Sequence, residues 1–94
     1  MVKVVFFYDI SEEKQNEYLE LTAQKIKPFW ESNGCDSYTV WKVDDSQTAF
    51  VKEMLFKDNP AMKSVLSLEA AEPIKELFYG FAKNISRKIS IQKV

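Results

Sequence analysis

Residues 37–56 read SYTVWKVDDSQTAFVKEMLF, two apolar and aromatic runs joined by a short polar stretch. In Ser37–Val43, Tyr38 and Val40 alternate with Thr39, Trp41 and Val43, the two-residue period of a strand. Asp44 to Gln47 form a polar turn. Thr48–Phe56 resumes the strand pattern, so the segment predicts an antiparallel hairpin.

Helical patterns flank this hairpin on both sides. Upstream, Ser11 offers an N-cap and Glu12 and Glu13 suit the positive end of a helix. Tyr18, Leu19, Thr22, Ala23, Ile26 and Trp30 then recur at helical spacing. Pro28 predicts a kink, or an end to the regular helix near Lys27. Gly34 stands where a left-handed C-terminal residue belongs. Downstream, Asp58 or Asn59 caps a second helical stretch, with Pro60 near its first position. Met62, Val65, Leu66 and Leu68 form its apolar stripe. Glu72-Pro73 restarts the helix, and Ile74, Leu77, Phe78, Phe81 and Ala82 continue the face. Outermost are two more strands, Val2–Tyr8 and Ile85–Gln92. The order β-α-β-β-α-β in 94 residues is the ferredoxin-like α+β plan, a single domain over 1–94. It implies a four-stranded antiparallel sheet with the helices on one face. Strands one and three lie in its centre.

A sheet covered on one face should alternate apolar and polar residues. The two central strands do not. Val2, Val4, Phe6 and Tyr8 point one way, Val5 and Phe7 the other. Phe50, Met54 and Phe56 oppose Ala49, Val51 and Leu55. Both faces therefore expect cover. Helices supply one side, and a second copy packed sheet to sheet is the economical partner for the other.

Composition narrows the chemistry. The chain has no histidine and a single cysteine, Cys35. A His-containing triad, a His-ligated metal and an internal disulfide are excluded. No cofactor or metal is expected. Net charge is −1, so no general attraction to nucleic acid or an anionic membrane is expected. The longest apolar run, Val4–Tyr8, is far too short to span a bilayer. These features predict a soluble cytoplasmic protein.

The element pattern, with KPFWESNGC at the end of the first helix, SYTVWKV, and FVKEMLFKD leading into the second, resembles the dimeric α/β-barrel superfamily. The nearest likeness is its antibiotic-biosynthesis-monooxygenase-like branch. The resemblance implies a homodimer whose sheets form a barrel, with a pocket in each subunit between sheet and helices. Members include cofactor-independent oxygenases acting on polycyclic phenols, haem-degrading enzymes and proteins without known activity. Gly34, Tyr38 and Glu53 stand where that branch often carries a glycine, a strand tyrosine and a third-strand carboxylate. The iron-holding histidine of several relatives is missing.

Glu53 is the candidate catalytic base. Facing the helices it would be a carboxylate in an apolar setting with a raised pKa. The plainer alternative is a rim residue, or one paired with Lys42 or Lys52. Tyr38, Trp41, Trp30 and Asn33 are the candidate pocket residues for a flat apolar or aromatic ligand. Core packing and helix termination are their plainer roles. Cys35 lacks a base and reads as a packed thiol.

The expected function is a small homodimeric enzyme, of cofactor-independent monooxygenase type, acting on a small apolar or aromatic molecule. The alternative is a non-catalytic dimeric binding module. An RNA-recognition module shares the element order, but the glycine-bracketed aromatic motif is missing and Glu53 replaces its last aromatic.

Overall fold

A computed structural model describes residues 1–94 of the chain. β1 (Val2–Asp9) leads into a helical segment, Glu12–Ser32. That segment comprises a 3-10 turn, α1 (Gln15–Leu21), a π turn at Thr22–Ile26 and α2 (Lys27–Ser32). The hairpin of β2 (Ser37–Lys42) and β3 (Ala49–Phe56) follows. α3 (Asn59–Leu66), a 3-10 turn at Glu69–Ala71 and α4 (Glu72–Phe81) precede β4 (Lys83–Ile91). The sheet is antiparallel, in the order β2-β3-β1-β4. The ferredoxin-like plan and its central strands are as the patterning predicts.

Two details differ from the expectation at the first helix. Ser11 holds the N-cap position, but its side chain makes no capping bond; its carbonyl accepts from Lys14 N–H at 2.9 Å instead. Pro28 does not end the helix. The π turn before it widens the ladder where proline lacks an N–H and crowds the preceding carbonyls. At the second helix, Asp58 caps as predicted, accepting from Ala61 N–H at 2.8 Å. Gly34, in the turn that follows the first helical segment, has φ 109°. A Cβ there would lie 2.6 Å from Val65 Cγ2, so the close approach of α3 also demands glycine.

The register settles which sheet face meets the helices. Val2, Val4, Phe6 and Tyr8 of β1 are opposite Phe56, Met54, Lys52 and Phe50 of β3. All eight are buried. Tyr38 of β2 is opposite Met54 on the same face. The core is completed by Tyr18, Ile26, Trp30, Met62, Val65 and Phe78 from the helices. Its centre is aromatic: the Tyr8 ring meets Phe78 edge-on at 4.9 Å and stacks over Phe50 at 6.0 Å. β4 is exposed along its length, although Ile89 and Ile91 share the face of Val4 and Val2. The opposite sheet face carries Val5, Phe7, Val51, Leu55 and Trp41 with no element over it. Phe7 remains 40% exposed and Trp41 60%. No helix is long and apolar enough to cross a membrane.

Candidate functional site

β2 is an edge strand, and its outward peptide groups at Tyr38 need partners. The first helical segment supplies them. Glu31 accepts from Tyr38 N–H at 3.0 Å, while Lys27 Nζ donates to Tyr38 C=O at 2.6 Å and to Glu31 at 2.9 Å. The Lys27 ammonium, then the Tyr38 N–H, hold the Glu31 carboxyl below its ordinary range. These bonds clamp helix to strand at one point. Beside the clamp they part, leaving a cleft of about 340 Å³ lined by Leu19, Thr22, Ala23, Lys27 and residues 38–41. That is within the roughly 300–1,000 Å³ usual for small-molecule sites.

Two residues that line this cleft carry buried hydroxyls, Thr22 Oγ1 and Tyr38 Oη, for which no hydrogen bond within the chain meets ordinary geometry. Thr22 does lie close enough to Tyr18 to bear on that phenol's titration. Unpaired buried hydroxyls are costly, about 1–3 kcal/mol each, so such atoms mark places where a guest can be held. Burial drives the Tyr38 phenol well above its ordinary pKa, so it stays a neutral donor. Deeper in, Tyr8 and Tyr18 share a hydrogen bond of 2.5 Å. Burial raises both phenols too.

Behind the cleft sits Lys52, the cross-strand neighbour of Val40 and only 4% exposed. Its Nζ lies over the rings of Phe78 at 3.3 Å, Phe6 at 4.3 Å and Tyr38 at 5.6 Å. It takes part in none of the chain's ion pairs. Burial alone pushes its amine down to about 7. Sequence reasoning weighed Lys52 only as a partner for Glu53. Its parity put it with Phe50 and Met54 on one face of the strand, without saying which face the helices cover.

The structure separates the predicted site residues. Only Tyr38 and Trp41 border the cleft. Glu53 does not face the helices: its register position, opposite Val5 and Thr39, puts it on the uncovered face. Its partner is Lys3 at 3.8 Å, rather than Lys42 or Lys52. Adjacent residues on a strand point to opposite faces, so Lys52 could not serve. Trp30 is buried in the core, and Asn33 is exposed, donating to Phe29 C=O at 2.7 Å. Cys35 is buried, donates to Ser37 C=O at 3.1 Å, and has its pKa raised by burial. No group of three or more His, Cys, Asp or Glu could hold a metal ion. A second hollow, about 420 Å³, lies at the far end of the sheet, lined by Met1, Lys3, Leu55, Ser90, Ile91 and Gln92. It is larger, but no buried unpaired group faces it.

The chain thus has a ferredoxin-like fold with a cleft between the sheet and its first helix, a fold it shares with solved structures named as antibiotic biosynthesis monooxygenases. Among solved structures, SnoaB, a cofactor-independent oxygenase from Streptomyces nogalater, superposes with a TM-score of 0.84 at 14% identity. The match covers 99% of this chain and 93% of that one. An antibiotic biosynthesis monooxygenase matches over 100% of both chains, with a TM-score of 0.78 and 16% identity. A conserved protein from Methanosarcina mazei Go1 matches over 98% of this chain and 92% of its own, with a TM-score of 0.80 and 19% identity. No protein-family model matches the chain, and no curated protein sequence does.

Proposed function

We propose that the cleft between the first helical segment and β2 binds a small, flat, hydroxyl-bearing aromatic molecule, and that the protein oxidises it with molecular oxygen. The observation that carries this reading is the buried Tyr38 hydroxyl, without a hydrogen-bond partner, on a residue lining an otherwise largely apolar cleft, with the Thr22 hydroxyl on the facing helix. They suit the oxygen atoms of a phenol or quinol, and Leu19, Ala23 and Val40 suit its ring. The name of SnoaB, a cofactor-independent oxygenase of the same fold, supports the reaction class.

For an anthrone-type substrate the chemistry balances without another reactant. The activated C–H loses a proton to the solvent reaching the open cleft, which returns it later to the peroxide oxygen that departs as water. The resulting enolate passes an electron to oxygen. The radical pair combines to form a C–O bond. Loss of water leaves a quinone carbonyl, so one oxygen atom enters the product and the other leaves as water. The cleft's task is to hold and orient the enolate. Glu53 is separated from this cleft by the sheet. Its role as base belongs to a reaction run on the uncovered face.

A second copy of the chain covers that uncovered face in this proposal, sheet against sheet. Phe7, Trp41, Val51 and Leu55 provide the apolar contact. Light scattering is expected to give twice the 11.0 kDa mass of one chain. The functional test is oxygen uptake with dithranol, an anthrone, in the presence of a chelator and no added flavin. Protein-dependent uptake that falls in Tyr38→Phe is expected. No binding and no uptake would overturn the proposal. Binding without uptake would convert it to the non-catalytic module.

A further inference from the structure

Lys52 is the one charge-bearing side chain among the buried residues, and nothing in the chain neutralises it. A buried amine without an anion is expensive to keep. Three aromatic rings around its Nζ give it a partial substitute for water. They supply no negative charge. On its own strand it is flanked by Phe50 and Met54, and across the sheet by Phe6 and Val40.

Its position relative to the cleft is close. Val40 and Tyr38 line the cleft on one side. Val40 is the cross-strand neighbour of Lys52, and the Tyr38 ring lies under its Nζ. Lys52 does not itself line the cleft, and its Nζ lies nearer Phe78 and Phe6 than Tyr38, so meeting a guest requires its four-carbon stem to turn past Val40. The other lysine at the cleft, Lys27, is already committed to Glu31 and the Tyr38 carbonyl.

We infer that the ligand of this cleft is bound as an aromatic anion, an ionised enol, phenol or carboxylic acid, with Lys52 as its counter-ion. This rests on the cleft being the ligand site. The ligand supplies the charge that the fold withholds from Lys52. For an acidic enol or phenol, the O–H or C–H proton passes to the neutral amine, leaving an enolate or phenolate beside an ammonium. For a ligand already ionised, the amine takes its proton from bulk water. A neutral acid thus brings its own proton, whereas an already ionised ligand takes one up from solution wherever the amine was neutral beforehand.

The groups facing Lys52 leave this linkage uncluttered. β2 contributes Tyr38, β1 contributes Tyr8, and the first helical segment contributes Tyr18, all phenols that burial keeps protonated. α4 contributes Phe78, which does not titrate. Glu31 is held by Lys27 outside the core. Since burial sets the free amine near 7, anion binding weakens as pH rises above that value, by up to about tenfold per pH unit.

The test compares 2-naphthoate with its neutral isostere 2-naphthamide, by calorimetry on the full chain. At pH 8, in two buffers of different ionisation heat, naphthoate binding is expected to take up close to one proton and naphthamide binding none. Lys52→Met is expected to weaken naphthoate by about thirtyfold or more while changing naphthamide little. Equal binding of the two probes, no proton uptake, or a preference for naphthoate that survives in Lys52→Met would overturn the inference and leave the cleft standing as a ligand site. Failure of both probes to bind would overturn the cleft itself, and the inference with it. The proton-uptake measurement uses the unaltered protein, so it decides the matter even if the variant misfolds.

Discussion

Replacing Lys52 with methionine should make the protein more stable, and should abolish a rise of stability with pH. In the unfolded chain the amine keeps its proton up to its ordinary value of 10.5; in the fold, burial brings that value down to about 7. Between these limits the unfolded state binds more protons, so stability climbs as pH rises and is lost again as pH falls toward 7. The drop is worth about 5 kcal/mol in total, at about 1.4 kcal/mol per pH unit. About 4 kcal/mol of this penalty is still present at pH 7, and about 2.5 kcal/mol of it is relieved between pH 7.5 and pH 9.5. Methionine fills a similar volume and carries no charge. Lys52→Met is therefore expected to gain about 4 kcal/mol at pH 7 and to lose the rise. Urea unfolding followed by tryptophan fluorescence reads both quantities, with protein concentration held constant because self-association would add to them. The window stops below pH 10, since ionisation of unfolded tyrosines then acts with the opposite sign on Tyr8, Tyr18 and Tyr38. A wild-type stability that stays flat over the window, or the same rise in Lys52→Met, would refute the argument.

Other perturbations probe the remaining features. Tyr8→Phe strands the Tyr18 hydroxyl and should cost about 1–3 kcal/mol, with Tyr18→Phe costing less when added to it than alone; a double-mutant cycle of unfolding free energies checks this. Gly34→Ala should cost about 1–3 kcal/mol from the positive φ alone. The clash with Val65 adds to that cost, so thermal melts should show part of the loss recovered by Val65→Ala. Asp58→Ala should lower stability by about 1 kcal/mol, read from the urea midpoint, through loss of the bond to Ala61 N–H. Glu53→Gln breaks only a partly exposed pair with Lys3 and should change stability by less than about 1 kcal/mol. With chemistry in the cleft, oxygen uptake with dithranol persists in that variant; its loss would move the chemistry to the uncovered face.

Element order was legible because each element carries its own local signal. The strand alternation of Ser37–Val43 and Thr48–Phe56, the Asp58 cap and the helical stripe through Phe78 depend on neighbours a few residues away. The strand order followed from that element order, since few topologies connect such a chain. Pro28 misled in part, because a π turn upstream could absorb it, and nothing local announces that accommodation. Tyr38 was found at the cleft, but its companion Thr22 was read only as one step of the helical stripe. Which hydroxyl stays unpaired depends on how helix and strand are clamped, through Lys27 and Glu31.

The decisive residue pair was Lys52 and Glu53. Neighbours on a strand must face opposite ways, so the sequence alone required one of them to lie on each side of the sheet. It could not say which side the helices take, because β1 and β3 are apolar on both faces. In the fold the helices cover the face of Val2, Val4, Phe6, Tyr8, Phe50 and Met54 and enclose Lys52 with it, leaving Phe7 and Trp41 with Val5, Val51 and Leu55 on the other. Glu53 was left on the uncovered face beside Lys3. Local chemistry thus determined the elements and their order, whereas the choice of covered face, and with it the burial of an uncompensated amine, arose only from packing the whole chain.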